Sequence, residues 1–203
     1  MARYLITHSL LSSWLYTIKE SPYEDLTTER DPFEEFIQTL HRKPIQTTEA
    51  MQKGNDLEAL ITAIIEGHGN PEHSWFEAAN EAAQILRGGV LQYRARREIE
   101  VDGLTLVLHG RLDALKAGVI YDTKFSGSYE KGKYINSTQH PTYLELIPEA
   151  SEFVYLVSNG SQLWRESYRR EETRSIRPDI SDFFKWLTVQ GLMEVYQKNW
   201  RAR

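Results

Sequence analysis

From Val90 onward the hydrophobic period of the chain changes to two, and the change is punctuated by two turn signals, Asp102-Gly103 and Ala117-Gly118. Such dipeptides supply the positive φ that closes two-residue hairpins. Residues 90–101, 104–115 and 119–125 are therefore expected as three consecutive strands. A sheet of this kind must bury at least one face, and the flanking segments carry the helical period that would cover it. Ser9 precedes an apolar pattern over 9–16. Phe33, Phe36, Ile37 and Leu40 form a short helical pattern between Pro22, Pro32 and Pro44. Thr47 or Thr48 can cap a helix through Met51 and Leu57 to Ile65 that stops near Gly67, and a further helix is expected over 72–86.

Beyond the third strand, a loop over 126–133 leads to a helix that starts near Asn136 or Ser137 and ends by Pro148, with Pro141 in its first turn. Residues 153–157 and 162–168 flank Asn159-Gly160 and are expected as a second hairpin. Phe183, Phe184, Leu187, Leu192, Val195 and Tyr196 then read as one helix over 180–200, its aromatic stripe serving core packing or an oligomer contact. The expected architecture is a single α/β domain over 1–203, a central mixed sheet flanked by helices, with an N-terminal helical segment over about 1–46.

Composition narrows the chemistry. The 203 residues contain no cysteine, which excludes disulfides, thiolate zinc sites, a cysteine-held iron–sulfur cluster and a thiol nucleophile. Any metal would sit on carboxylates, carbonyls or imidazoles. A net charge of −5 argues against coating nucleic acid through bulk charge, while leaving room for a local basic groove. The apolar runs are too short for a membrane span and the N-terminus lacks a signal-peptide pattern, so the sequence reads as cytoplasmic with no membrane partner.

The hairpin at Ala117-Gly118 concentrates the chemistry-bearing residues. A two-residue loop there sets Asp113 directly opposite Asp122, and alternation puts Asp122 and Lys124 on one face. Like charges opposed in an apolar hairpin are unfavourable unless something compensates them. The natural compensators are the Lys124 ammonium and a divalent cation, for which aspartates are hard oxygen ligands. On the helix through Leu57, Glu58 falls at the edge of the apolar stripe formed with Leu60, Ile61, Ile64 and Ile65. Gly54, one turn earlier, is expected to admit a close backbone approach that brings Glu58 to the end of the hairpin.

Gly54-x-x-x-Glu58, Gly110-x-x-Asp113, Asp122-x-Lys124 and Gln139-x-x-x-Tyr143, in this order over 54–143, resemble the motifs of the PD-(D/E)XK nuclease superfamily, in particular its RecB-like and phage-type exonuclease branch. The resemblance implies a restriction-endonuclease-like core of αβββαβ order and a Mg2+- or Mn2+-dependent deoxyribonuclease, an exonuclease of phage recombination or DNA repair. It makes Glu58, Asp113 and Asp122 catalytic metal ligands, joined by the Thr123 carbonyl, with Lys124 orienting the attacking water. It gives Gln139 and Tyr143 the contacts to DNA. Ring-forming relatives thread DNA through an assembly, which leaves room for a homo-oligomer. A second reading is a nuclease-like module that binds DNA or a protein without cutting.

The remaining candidates carry weaker signals. His109 shares the face of Asp113 four residues away and is expected as a neighbour of the site; His140, His68 and His73 are expected to be structural or solvated. Arg94 and Arg96 fall on one side of their strand and Arg97 on the other. These and the segment from Trp164 to Arg170 could hold phosphates or form a salt-bridged surface.

Overall fold

The computed structural model describes residues 3–18 and 31–202; the part of the proline-broken segment over 19–30, Pro22 included, lies outside the described residues. Strand β1 (Tyr4–Ile6) leads into α1 (His8–Ile18), α2 (Pro32–Leu40), α3 (Glu49–Ile65) and α4 (Phe76–Leu86). Then come β2 (Val90–Val101), β3 (Leu104–Lys116), β4 (Val119–Phe125), α5 (Gln139–Leu146), β5 (Glu152–Ser158), β6 (Leu163–Arg169), α6 (Arg177–Val189) and α7 (Met193–Asn199). The fold is α/β: one six-stranded mixed sheet flanked by helices, ordered β1-β3-β4-β5-β6 with β2 paired to β3.

The hairpins form as their turn residues require. Asp102 and Gly103 have φ of 50° and 76°, Ala117 and Gly118 of 50° and 77°, the paired positive values of a tight turn that follows strand twist. The parallel pair β4/β5 is joined through α5, as a parallel crossover demands. Two apolar clusters cover the sheet. One gathers Leu10, Trp14, Phe36, Leu108, Tyr143, Phe153, Phe183 and Tyr196 beneath α1, α2, α5, α6 and α7. The other gathers Leu57, Ile61, Ala79, Ala83, Val154 and Leu156 beneath α3 and α4. The C-terminal aromatic stripe is thus core.

Several expectations need correction. The helix expected over 72–86 begins only at Phe76, because Asn70 accepts the Glu72 amide in a local turn and holds the chain out of the helix. The segment over 180–200 is two helices, broken where Gly191 takes a φ of 69°. The first helix is capped by Thr7, whose hydroxyl accepts the Leu10 amide at 3.2 Å, so Ser9 lies inside it. Strand β1, absent from the expectation, pairs in parallel with Leu106, Val107 and Leu108. Among the described residues no helix is long and apolar enough to cross a membrane.

Candidate active site

The β3/β4 ladder runs Lys116↔Val119, Leu115↔Ile120, Ala114↔Tyr121 and then stops. This is the register that sets Asp113 against Asp122, yet the strands part at that pair. In an antiparallel ladder alternate pairs exchange hydrogen bonds, so after Ala114/Tyr121 the next exchange would join Leu112 to Thr123. The Asp113 carboxylate intervenes: one oxygen, Oδ2, accepts the Thr123 amide at 2.8 Å and the Thr123 hydroxyl at 2.9 Å. The β2/β3 ladder is interrupted at the same level. It runs Leu91↔Ala114 and then Tyr93↔Leu112, leaving Gln92 and Asp113 unpaired. Gln92 has a φ of 53°, a left-handed conformation rare for a side chain of its kind, and its amide donates to Glu58. Asp113 therefore sits in a notch where both neighbouring strands have let go.

Asp122 forms the buried wall of that notch, only 6% exposed. Gln139, at the start of α5 and itself buried, donates its amide to Oδ1. The Lys124 ammonium lies 2.7 Å from Oδ2 but out of hydrogen-bond alignment, so this oxygen has a charge beside it and no hydrogen bond. Burial pushes the Asp122 carboxyl up to about 7; Lys124 pulls the other way, and Asp113 adds to the rise. Lys124 also stands over the Tyr155 ring, 5.9 Å from its centroid.

Glu58 arrives from α3, half-buried, and senses Asp113: burial and then the Asp113 charge raise its carboxyl above the ordinary range, against Arg111, Gln92 and Lys124. The route differs from the one expected, since a Cβ on Gly54 would meet nothing and no backbone approaches there. The close approach lies at Gly110, where a Cβ would run into the rings and methyls of Tyr143 and Leu146. The missing side chain lets α5 press onto β3. Tyr143 then donates its hydroxyl to the Arg111 carbonyl at 3.1 Å. Gln139 and Tyr143, one turn apart, share the helix face turned toward the acids. Both are buried and bonded to protein, so a direct DNA contact by Gln139 would require its amide to leave Asp122.

Three contributors escape a reading of motifs. Arg111 sits one position from Leu112 and two from Asp113, exposed, beside a hollow of about 360 Å³ also lined by Glu58, Gln92, Thr62 and His68. His8 opens α1 and bonds the Thr138 hydroxyl at 3.2 Å, with its ring 6.2 Å from that of Tyr143. Glu166, buried on β6, accepts from Tyr129, Tyr168 and the amides of Gly132 and Tyr134. It thereby fixes the loop that delivers α5. Isolated residues of these types give no spacing signal; their roles depend on pairing across the fold.

The basic residues divide. Arg97 donates to the Glu145 carbonyl, and Arg170 caps the end of α5 through the carbonyls of Leu144 and Ile147 at 2.7 Å and that of Ala150 at 2.6 Å. Arg165 faces Glu81 at 3.7 Å and Trp164 packs on Tyr129. His140 stacks on Tyr168 at 3.9 Å, a structural role, while His68 is exposed beside Glu66. Arg94, Arg96 and His109 are placed differently, on the face that leads to Asp113.

Hard-oxygen donors suit Mg2+ or Mn2+, and the buried Oδ2 of Asp122, met by the Lys124 ammonium at 2.7 Å, keeps a second lone pair for a cation. Among the described residues, however, no three acids or imidazoles converge as a ready-made cage. Asp113 is instead bonded to Thr123, and Asp122 to Gln139 with the Lys124 ammonium beside it. The donor set fits a cation whose remaining ligands come from water and substrate.

No family model matches the chain, and no curated protein matches it. Among solved structures, the fold is similar to the crystal structure of SSO0001, with a TM-score of 0.52 and 16% identity over 92% of this chain and 76% of that one.

Proposed function

We propose that the protein is a Mg2+- or Mn2+-dependent deoxyribonuclease with a restriction-endonuclease-like core, acting as an exonuclease on DNA. The observation that carries this reading is the notch at the β3/β4 parting, where Asp113 and Asp122 stand beside Lys124 with Glu58 in electrostatic contact. Asp113 serves the parted strand through Thr123, and Asp122 adds a second, buried acid opposite it. Asp113 interrupts the ladder and the buried Asp122 resists ionisation, costs that a substrate-related role explains.

Glu58, Asp113, Asp122 and the Thr123 carbonyl would hold the cation. When bound, it would acidify a water and neutralise charge on the phosphoryl oxygens. The chain's own residues supply the rest. Lys124 keeps a positive charge at the Asp122 carboxylate, where it can meet a nonbridging phosphate oxygen and orient the attacking water. Gln139 holds Asp122 in one orientation, and Gln92 does the same for Glu58. Tyr143 secures α5 against β3, so that Gln139 approaches Asp122 from a rigid element.

The second reading, a module that binds DNA or a protein without cutting, is favoured by the lack of a preformed cage among the described residues. Incubation of linear and closed circular DNA with Mg2+, with Mn2+ or with chelator separates the two. The exonuclease reading expects loss of the linear form alone, and only with metal. Cleavage of both forms would make it an endonuclease, and no cleavage in either metal would favour the binding module.

A further inference from the structure

On the outer side of the β2/β3 hairpin two cations stand directly opposite one another, Arg94 and Arg111, and Arg96 faces the His109 imidazole. The row leads toward Gln92 and Asp113, where the ladder is interrupted, and Arg111 lines the same hollow as Glu58 and Gln92. Arg42, held over the Trp200 ring at 4.8 Å, adds its charge from the side, close enough to act on His109. Like charges paired across strands destabilise a sheet. Within the fold the acid that acts on the row is Glu58, which feels Arg111; among the described residues Arg94, Arg96 and Arg111 form no ion pair and no side-chain hydrogen bond, and all three are exposed. The acid at the far end of the row, Glu98, is already taken by Arg3. Burial and then Arg96, Arg94 and Arg42 hold the His109 imidazole below its usual range, the mark of a local positive field in a chain of net charge −5.

We propose that this row is the docking track for the phosphate backbone of the DNA strand adjoining the scissile phosphate, leading it along β2 and β3 into the Asp113 notch. The inference rests on the nuclease reading for the position of the scissile phosphate and adds the direction of approach. Opposed pairs recur every ~6.8 Å of strand, and from Arg96 to the level of Asp113 the row covers ~13 Å. A row of exposed guanidinium groups without protein partners is complementary to a polyanion and ends where the acids begin.

The test is fluorescence anisotropy of a labelled DNA oligonucleotide in chelator, which prevents cleavage, over a series of NaCl concentrations. Wild type is compared with the double variants R94A/R96A and R94K/R96K. The alanine variant is expected to bind about tenfold more weakly or worse, with a salt slope shallower by ~1.4–1.8, two contacts' worth, while the lysine variant keeps the wild-type slope. Mn2+ binding by calorimetry is expected to be equal in all three, because the substituted residues touch none of the acids. Wild-type affinity and slope in R94A/R96A overturn the track, even if the protein cleaves DNA. Heparin binding at equal strength per charge, lost in parallel, overturns the assignment to DNA. Stripe-dependent DNA binding without cleavage in either metal would sustain the track and remove the nuclease reading instead.

Discussion

Asp113 replaces a ladder partner of Thr123: its Oδ2 receives both the amide and the hydroxyl of Thr123, at 2.8 and 2.9 Å, one position beyond the last β3/β4 pair. The carboxylate that would bind a cation is therefore also the group that satisfies the parted strand. Thr123→Val removes the hydroxyl donor and keeps the shape. It is expected to cost about 1–2 kcal/mol in urea unfolding, since one bond to a charged acceptor is lost while the amide bond persists. An unchanged midpoint would mean that the hydroxyl contributes nothing to holding Asp113.

The same region shows what a sequence can and cannot disclose. Asp102-Gly103 and Ala117-Gly118 impose their turn types locally, so the hairpin registers, and with them the meeting of Asp113 and Asp122, were readable from the chain. A helix cap at Thr47 or Thr48, found at Thr48, and the place of Glu58 at the half-buried edge of that helix were readable for the same reason: the information is local or periodic. Strand β1 was not, because three residues carry no period and its partner Leu106–Leu108 lies about a hundred positions away. Gly54 and Gly110 were distinguished only by their neighbours, open space for one and Tyr143 for the other. His8 and Glu166 act through contacts that no spacing encodes.

Gly110→Ala should drive a methyl into the Tyr143 ring and displace α5. Overpacking of this kind costs about 1–3 kcal/mol. In a Tyr143→Leu background the penalty is expected to shrink, because the clashing ring is gone; a double-mutant cycle by chemical denaturation measures the difference. Equal penalties in the two backgrounds would place the strain elsewhere.

Gln92 holds a left-handed backbone at a φ of 53° that glycine adopts freely and alanine does not. Both Gln92→Gly and Gln92→Ala lose the amide that restrains Glu58, so their comparison isolates the backbone. The glycine variant is expected to be more stable than the alanine variant by about 1 kcal/mol. The reverse order in urea melts would deny the strain.

His8 gives the pH dependence a definite sign. Burial, followed by the charges of Lys124 and His140, lowers its imidazole from 6.5 to about 3, so the native state stays neutral where the unfolded chain takes a proton. Its contribution is complete above about 6.5 and is lost progressively as pH falls toward about 3. Near pH 5 the loss amounts to about 1–2 kcal/mol. His8→Gln should flatten the stability profile over that interval. Parallel profiles for the two proteins would show that His8 takes up its proton alike in the native and unfolded states.

The most direct measurement of the central claim is the rate of phosphodiester hydrolysis of linear DNA with Mn2+ by wild type and by Asp122→Asn, which keeps the shape and removes the charge. The nuclease account predicts metal-dependent hydrolysis by wild type and a loss of about a thousandfold in the variant, with its fold intact by circular dichroism. Hydrolysis by Asp122→Asn at a rate within a few-fold of wild type would contradict it.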